Sequence, residues 1–178
     1  MARADLTGVL LVGGTSTRFG SPKAFARLDG ETLAERAWHV LGKACGERVA
    51  TGKAADGFEL PFPVLDDGTE LRAALAGIVA GLRAATTELC VVVPVDMPRL
   101  MPTLLLELAE ACALAAAPEG SPLPAAYRKA ALPVLERRLA EGRLALHDAL
   151  AELEAERLAV DATQLENVNT PADLLRLG

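Results

Sequence analysis

Residues 10–25 of the chain read LLVGGTSTRFGSPKAF. Gly13, Gly14 and Gly20 free the backbone to bend sharply and turn its amides outward. Thr15, Ser16 and Thr17 add hydroxyl donors. Arg18 and Lys23 add two cations to a protein whose formal charge is -6. Amides, guanidinium and ammonium gathered in one loop are the chemistry of a polyphosphate cradle. The spacing is not that of a P-loop, G-x4-G-K-[ST], because Ser21 and Pro22 intervene before Lys23. It does not match the dinucleotide turn G-x-G-x-x-G either. An ordinary glycine-rich turn would account for the glycines but not for the two cations.

A second candidate is Asp96 in VVVPVDMPRL (91–100), at the end of the most continuously apolar stretch of the chain. A carboxylate beside a polyphosphate requires a cation between them, since bare like charges repel. Mg2+ takes one or two carboxylates together with phosphate oxygens and water, so one well-placed aspartate suffices. The competing reading of Asp96 is a helix cap. The third candidate is the pair Asn167 and Asn169, the only asparagines in the sequence. Two apart, they share one side of an extended backbone. Ligand contact and turn formation both suit them. The following Thr170, Pro171 and Asp173 make a helix start in the manner of a capping box.

These residues need a frame that brings them to one edge. TGVLLVG (7–13) and ELCVVVPVD (88–96) read as buried strands, with ERVATG, FPVLDD, PAAYR and LAVDA as weaker ones. Apolar residues at helical spacing predict helices over 32–45, 71–85, 102–117, 131–141 and 144–155, and a short one after NTP. Alternating strands and helices, with strand interiors that do not alternate, predict an α/β fold. It is a single doubly wound, mostly parallel sheet with helices on both faces, in one domain spanning residues 1–178. In such sheets ligands sit beyond the carboxyl ends of the strands, the edge at which the glycine-rich loop and Asp96 both emerge.

The bulk composition narrows the partners. An acidic balance argues against a nucleic-acid or anionic-membrane partner, which would want a basic face. Cys45, Cys90 and Cys112 form no CxxC and read as buried free thiols. No run reaches the roughly 18 apolar residues of a membrane helix, and the apolar stretch near the N-terminus is too short for a signal peptide. The expected compartment is the cytosol.

LVGGTSTRFGSPKA resembles the L-A-G-G-x-S-x-R-x-G-x-x-K-A signature of the MobA-type nucleotidyltransferases, the molybdenum cofactor guanylyltransferases, with Val12 at an alanine position. Asp96-Met97-Pro98 is similar to the family's metal-binding D-x-P, and NVNTP to its N-[IV]-N-T-P. The resemblance implies transfer of GMP from GTP to the terminal phosphate of molybdopterin, with release of pyrophosphate and Mg2+ as cofactor. It implies Arg18, Lys23 and Asp96 as catalytic residues, with Asp96 on the metal. Leu11, Val12, Gly13, Gly14, Lys23, Asp67 and Asp96 would bind the nucleotide, with Asp66 the alternative to Asp67. Asn167 and Asn169, whose amides pair well with a pterin edge, would bind the acceptor together with Tyr127, beside Arg128 in a segment similar to the family's P-L-x-A-x-Y. Contacts with proteins that deliver or accept the cofactor would be transient. The sequence departs from the family at Ala50, where an asparagine is usual, and at Ala73-Ala74, where G-P precedes L-A-G-I. A cytidylyltransferase acting on molybdopterin or another phosphorylated acceptor, and a non-catalytic nucleotide-binding regulator, are the alternatives.

Overall fold

In the computed structural model, which describes residues 3–13, 23–57 and 59–177, the elements run β1 (Leu6–Leu11), β2 (Arg27–Leu28), β3 (Glu31–Thr32), α1 (Leu33–Ala44), β4 (Glu47–Gly52), β5 (Val64–Asp66), α2 (Ala74–Ala84), β6 (Leu89–Pro94), α3 (Pro102–Ala111), β7 (Ala115–Pro118), β8 (Ala125–Arg128), α4 (Leu132–Ala140), α5 (Leu146–Glu152), β9 (Glu156–Leu158) and α6 (Pro171–Leu177). Seven strands form one sheet in the order β5-β4-β1-β6-β8-β7-β9. Neighbours pair in parallel except β8, which runs against both β6 and β7. The two most apolar segments, β1 and β6, lie side by side at its centre, where a strand is covered on both faces.

Successive side chains of a strand point to opposite faces. Gly8 of β1 faces Leu41 and Cys45 on the α1 side, while Val9 and Leu11 face Gly81 and Gly77 of α2. α1 packs beside α3, and α2 beside α4, so helices cover both faces as the alternation of elements predicts. On α1, Trp38 stacks on Phe62 with ring centroids 4.1 Å apart, and the Arg48 guanidinium lies 4.5 Å over the Trp38 ring. All three cysteines are free and buried. Burial pushes the thiols of Cys45 and Cys90 up to about 12 and that of Cys112 up to about 11, so none is poised as a nucleophile. No helix among the described residues is long and apolar enough to cross a membrane.

Two predicted elements are corrected, and the first is the late strand read in LAVDA (158–162), which lies earlier, at Glu156–Leu158. The helical reading of 102–117 holds only to Ala111; Ala115–Pro118 is instead strand β7. Alanine favours helix intrinsically, but β7 sits between β8 and β9, buried along its whole length. Small side chains fit that crowded place, and tertiary context overrides propensity. The hairpin of β2 and β3 was also not legible, being two residues per strand.

Helix α2 approaches the sheet closely because it carries glycines four residues apart. A Cβ on Gly81 would lie 2.3 Å from Cγ1 of Val9, an atom fixed in the central strand. Gly81→Ala should therefore destabilise the protein by about 1–3 kcal/mol despite alanine's better helix propensity. Thermal unfolding checks this: a raised Tm would mean that the helix can move off the sheet without loss.

Candidate active site

The carboxyl ends of β1, β4 and β6 point to one edge, and the chain delivers most of the sequence candidates there. β1 hands the chain to Val12, whose amide donates to the Thr51 carbonyl at 3.0 Å, and to Gly13. Gly14, Thr15, Ser16, Thr17, Arg18 and Gly20 lie outside the described residues. The description resumes at Lys23, at the start of a short 3-10 turn. Among the described residues the first α-helix begins at Leu33, after the β2–β3 hairpin; the expectation that Pro22 keeps a helix from starting right behind the strand falls outside them.

Lys23 Nζ donates to Asp96 Oδ2 at 3.1 Å and to Asn169 Oδ1 at 2.8 Å. Asp96 stands two residues past β6, its side chain 23 % exposed against 18 % for Lys23. The C-terminal segment reaches this point because Val168 donates its amide to the Asp96 carbonyl at 2.8 Å and buries its side chain completely. With Val168 turned inward, Asn167 and Asn169 are left outside. Asn169 meets the lysine, and Asn167 lines an adjoining cleft with Arg99, Glu166, Asp173 and Arg176.

Asp173 fixes this segment. Its Oδ2 accepts the amides of Asn169 at 2.9 Å and Thr170 at 2.8 Å, while its own amide donates to Thr170 Oγ1 at 3.3 Å. The Asn169 amide, foremost among these bonds, holds the Asp173 carboxyl well below the usual range, at about 2. A carboxylate with a depressed pKa contributes stability above its unfolded value, and that contribution is lost as the pH falls through the folded one.

On the other side of Gly13 lies a pocket lined by Leu11, Thr51, Gly52, Lys53, Asp67, Arg72, Ala73, Ala74 and Gly77. Lys53 Nζ donates to Asp67 Oδ1 at 2.6 Å and to the Thr69 carbonyl. The pair is nearly enclosed, at 11 % and 6 % side-chain exposure. Asp67 and Asp66 have separated roles. Asp66 turns its oxygens to the amides of Ala54 and Gly68, bonds that lower its pKa, whereas Asp67 faces the pocket. The Thr51 hydroxyl is buried with no hydrogen-bond partner among the described residues. Gly77 lies over it, where a Cβ would come within 2.9 Å of both Thr51 Oγ1 and Leu11 Cδ2. Ala50, the departure from the asparagine pattern, is buried within β4 and offers the pocket no side chain.

Tyr127 corrects a sequence expectation. Its side chain is fully buried, its hydroxyl has no partner among the described residues, and it pairs across the sheet with Cys90, near the start of β6 and away from Asp96. Because β8 runs antiparallel, Tyr127 is carried to the opposite end of the sheet, so it does not line an acceptor site. Arg128 beside it donates to the Cys112 and Ala113 carbonyls at that same end. Lys53 and Arg72 were missed. The available signal for Lys53 was a lysine just past strand β4, at the edge where β1 and β6 also end.

The fold and this edge define a nucleotidyltransferase. The protein is 33 % identical, over 95 % of its length and 91 % of the relative's, to a Chloroflexus aggregans protein named "Probable molybdenum cofactor guanylyltransferase". It superposes with a TM-score of 0.80 on molybdopterin-guanine dinucleotide biosynthesis protein A from Archaeoglobus fulgidus, at 27 % identity and covering 96 % of this chain and 95 % of that one. A TM-score of 0.73 at 22 % identity, covering 94 % of this chain and 95 % of the other, relates its fold to 2-C-methyl-D-erythritol 4-phosphate cytidylyltransferase from Thermus thermophilus. Residues 8–158 match the MobA-like NTP transferase domain, and the chain belongs to that family.

The Asp173 contact gives a direct test. In NMR titrations the amide shifts of Asn169 and Thr170 should follow a group titrating near 2. A midpoint close to 3.8, the ordinary aspartate value, would mean that the carboxylate does not hold them.

Proposed function

We propose that the chain, as one domain, is a cytoplasmic molybdenum cofactor guanylyltransferase that moves GMP from GTP to the terminal phosphate of molybdopterin and releases pyrophosphate. The observation that carries this reading, beyond family membership, is the meeting of Lys23, Asp96 and Asn169 at one strand edge. Two of these residues are suited to a nucleotide triphosphate and its metal, and the third belongs to the segment suited to the acceptor.

Asp96 fits Mg2+ as a single, partly exposed carboxylate. Among the described residues no cluster of three or more His, Cys, Asp or Glu could hold a metal alone, so phosphate oxygens and water would complete the shell, as Mg2+ prefers. When bound, the ion offsets the charge that builds on the α-phosphoryl group and the departing pyrophosphate. Lys23, held beside Asp96 and Asn169, supplies a second positive charge to the phosphates. Arg18, which lies outside the described residues, is assigned to the same cradle on the sequence motif alone. The acceptor is a phosphate monoester whose second pKa lies near 6, so it is an anionic nucleophile at neutral pH and needs no protein base. What remains for the side chains is to hold two anions in line and stabilise the charge that moves. Asn167 and Asn169 present amides to the pterin edge, and Asn169 also orients Lys23.

Pyrophosphate release should appear when protein, Mg2+, molybdopterin and GTP are combined, and not when ATP or UTP replaces GTP. Greater turnover with CTP would transfer the assignment to a cytidylyltransferase, and binding without turnover would indicate a regulator. Asp96→Asn should abolish Mg2+-dependent turnover with the fold intact; wild-type-like turnover would refute the metal role. Lys23→Ala should weaken nucleotide binding by about 1–3 kcal/mol, the worth of a charge-assisted contact. Unchanged affinity by calorimetry would count against the cradle.

A further inference from the structure

The pocket beside Gly13 has its hydrogen-bonding capacity unevenly spent. Lys53 has three donors, of which Asp67 and the Thr69 carbonyl take two. Asp67 Oδ1 accepts from Lys53 and from the Thr69 amide at 3.2 Å, whereas no residue among those described donates to Oδ2. The same pocket is lined by Arg72, Ala73 and Ala74, and Ala73 at the N-cap of α2 has no side-chain acceptor for the first-turn amides. The Thr51 hydroxyl below is buried with no partner among the described residues, a state that a ligand atom would relieve. The Arg72 guanidinium is spent on Asp56, to which it donates from both terminal nitrogens, so the pocket sets the Lys53 ammonium and the first-turn amides of α2 against one carboxylate.

We propose that Lys53 is a specificity-determining residue that excludes adenine nucleotides from this pocket; the inference rests on the reading of the pocket as the nucleobase site. Guanine separates its functions: O6 and N7 accept on one side, while N1–H and the 2-amino group donate on the other. The acceptors suit the Lys53 ammonium and the first turn of α2, and the donors suit Asp67. Adenine interleaves them, with its amine between N1 and N7, so a donor wall that meets the ring nitrogens also meets that amine. An ammonium fixed by a buried carboxylate and a carbonyl cannot withdraw without leaving Asp67 unpaired, and that rigidity is what turns a mismatch into rejection.

Calorimetry with the Mg2+ complexes of GTP, ATP and CTP tests this. The wild-type protein should bind GTP on the order of 100-fold more tightly than ATP, the discrimination expected when a site's polar groups are mismatched. Lys53→Met should weaken GTP by roughly 10- to 100-fold, the loss of a charge-assisted bond, and tighten ATP as the mismatched donor is removed, so the preference collapses. Lys53→Arg, which keeps the charge and donors, should retain a preference. A Lys53→Met protein that still favours GTP over ATP by the wild-type ratio overturns the proposal, as does a wild type without preference. Should Lys53→Met fail to fold, O6-methyl-GTP on the wild-type protein decides. Its masked oxygen should cost on the order of 10-fold or more, and affinity equal to that of GTP overturns the proposal. CTP binding more tightly than GTP, with ATP still excluded through Lys53, would refute the guanylyl assignment while supporting this one.

Discussion

An ammonium group shared between Asp96 and Asn169 joins three stretches of chain that lie far apart in sequence. The carboxylate stands at the tip of the central strand and the amide belongs to the last extended segment. The lysine follows the glycine-rich loop. At 18 % and 23 % exposure the pair is only partly shielded from water, so its Coulomb energy is modest. Its importance is geometric, because three groups suited to different parts of a two-substrate reaction are held within one contact distance before either substrate arrives. Such preorganisation removes much of the entropic cost of bringing two anions together.

Two backbone devices hold that contact in place. Val168 is bonded to the Asp96 carbonyl and sunk in the core, so the C-terminal segment is fastened to the strand whose tip it serves. Asp173 then gathers the amides of Asn169 and Thr170. The sequence suggested Asp173 only as part of a helix start. The same carboxylate also fixes the residue that meets Lys23, so one side chain serves local structure and the site together.

The parts of the molecule legible in the sequence are those governed by short-range rules. Continuous apolar runs located β1 and β6, and their partnership follows from burial on both faces. Asn167 and Asn169 stood out because the chain otherwise avoids asparagine, and the inward Val168 between them follows from extended geometry. The illegible parts depend on neighbours distant in sequence. Ala115–Ala117 become a strand because β8 and β9 flank them, which no local propensity encodes. The motif that carries Tyr127 encodes no strand direction; the reversal of β8 sends the residue to the far end. The Lys53–Asp67 pair is not legible because it forms only when Asp67, fourteen residues later, folds back to meet Lys53.

The stack of Trp38 on Phe62 has a spectroscopic consequence. Trp38 is the chain's only tryptophan, so tryptophan emission originates from one place, where α1 meets the segment leading into β5. That segment continues directly to Asp66 and Asp67. Tryptophan fluorescence therefore reports, without any label, on the junction of α1 with the strand that ends at Asp66 and leads to Asp67.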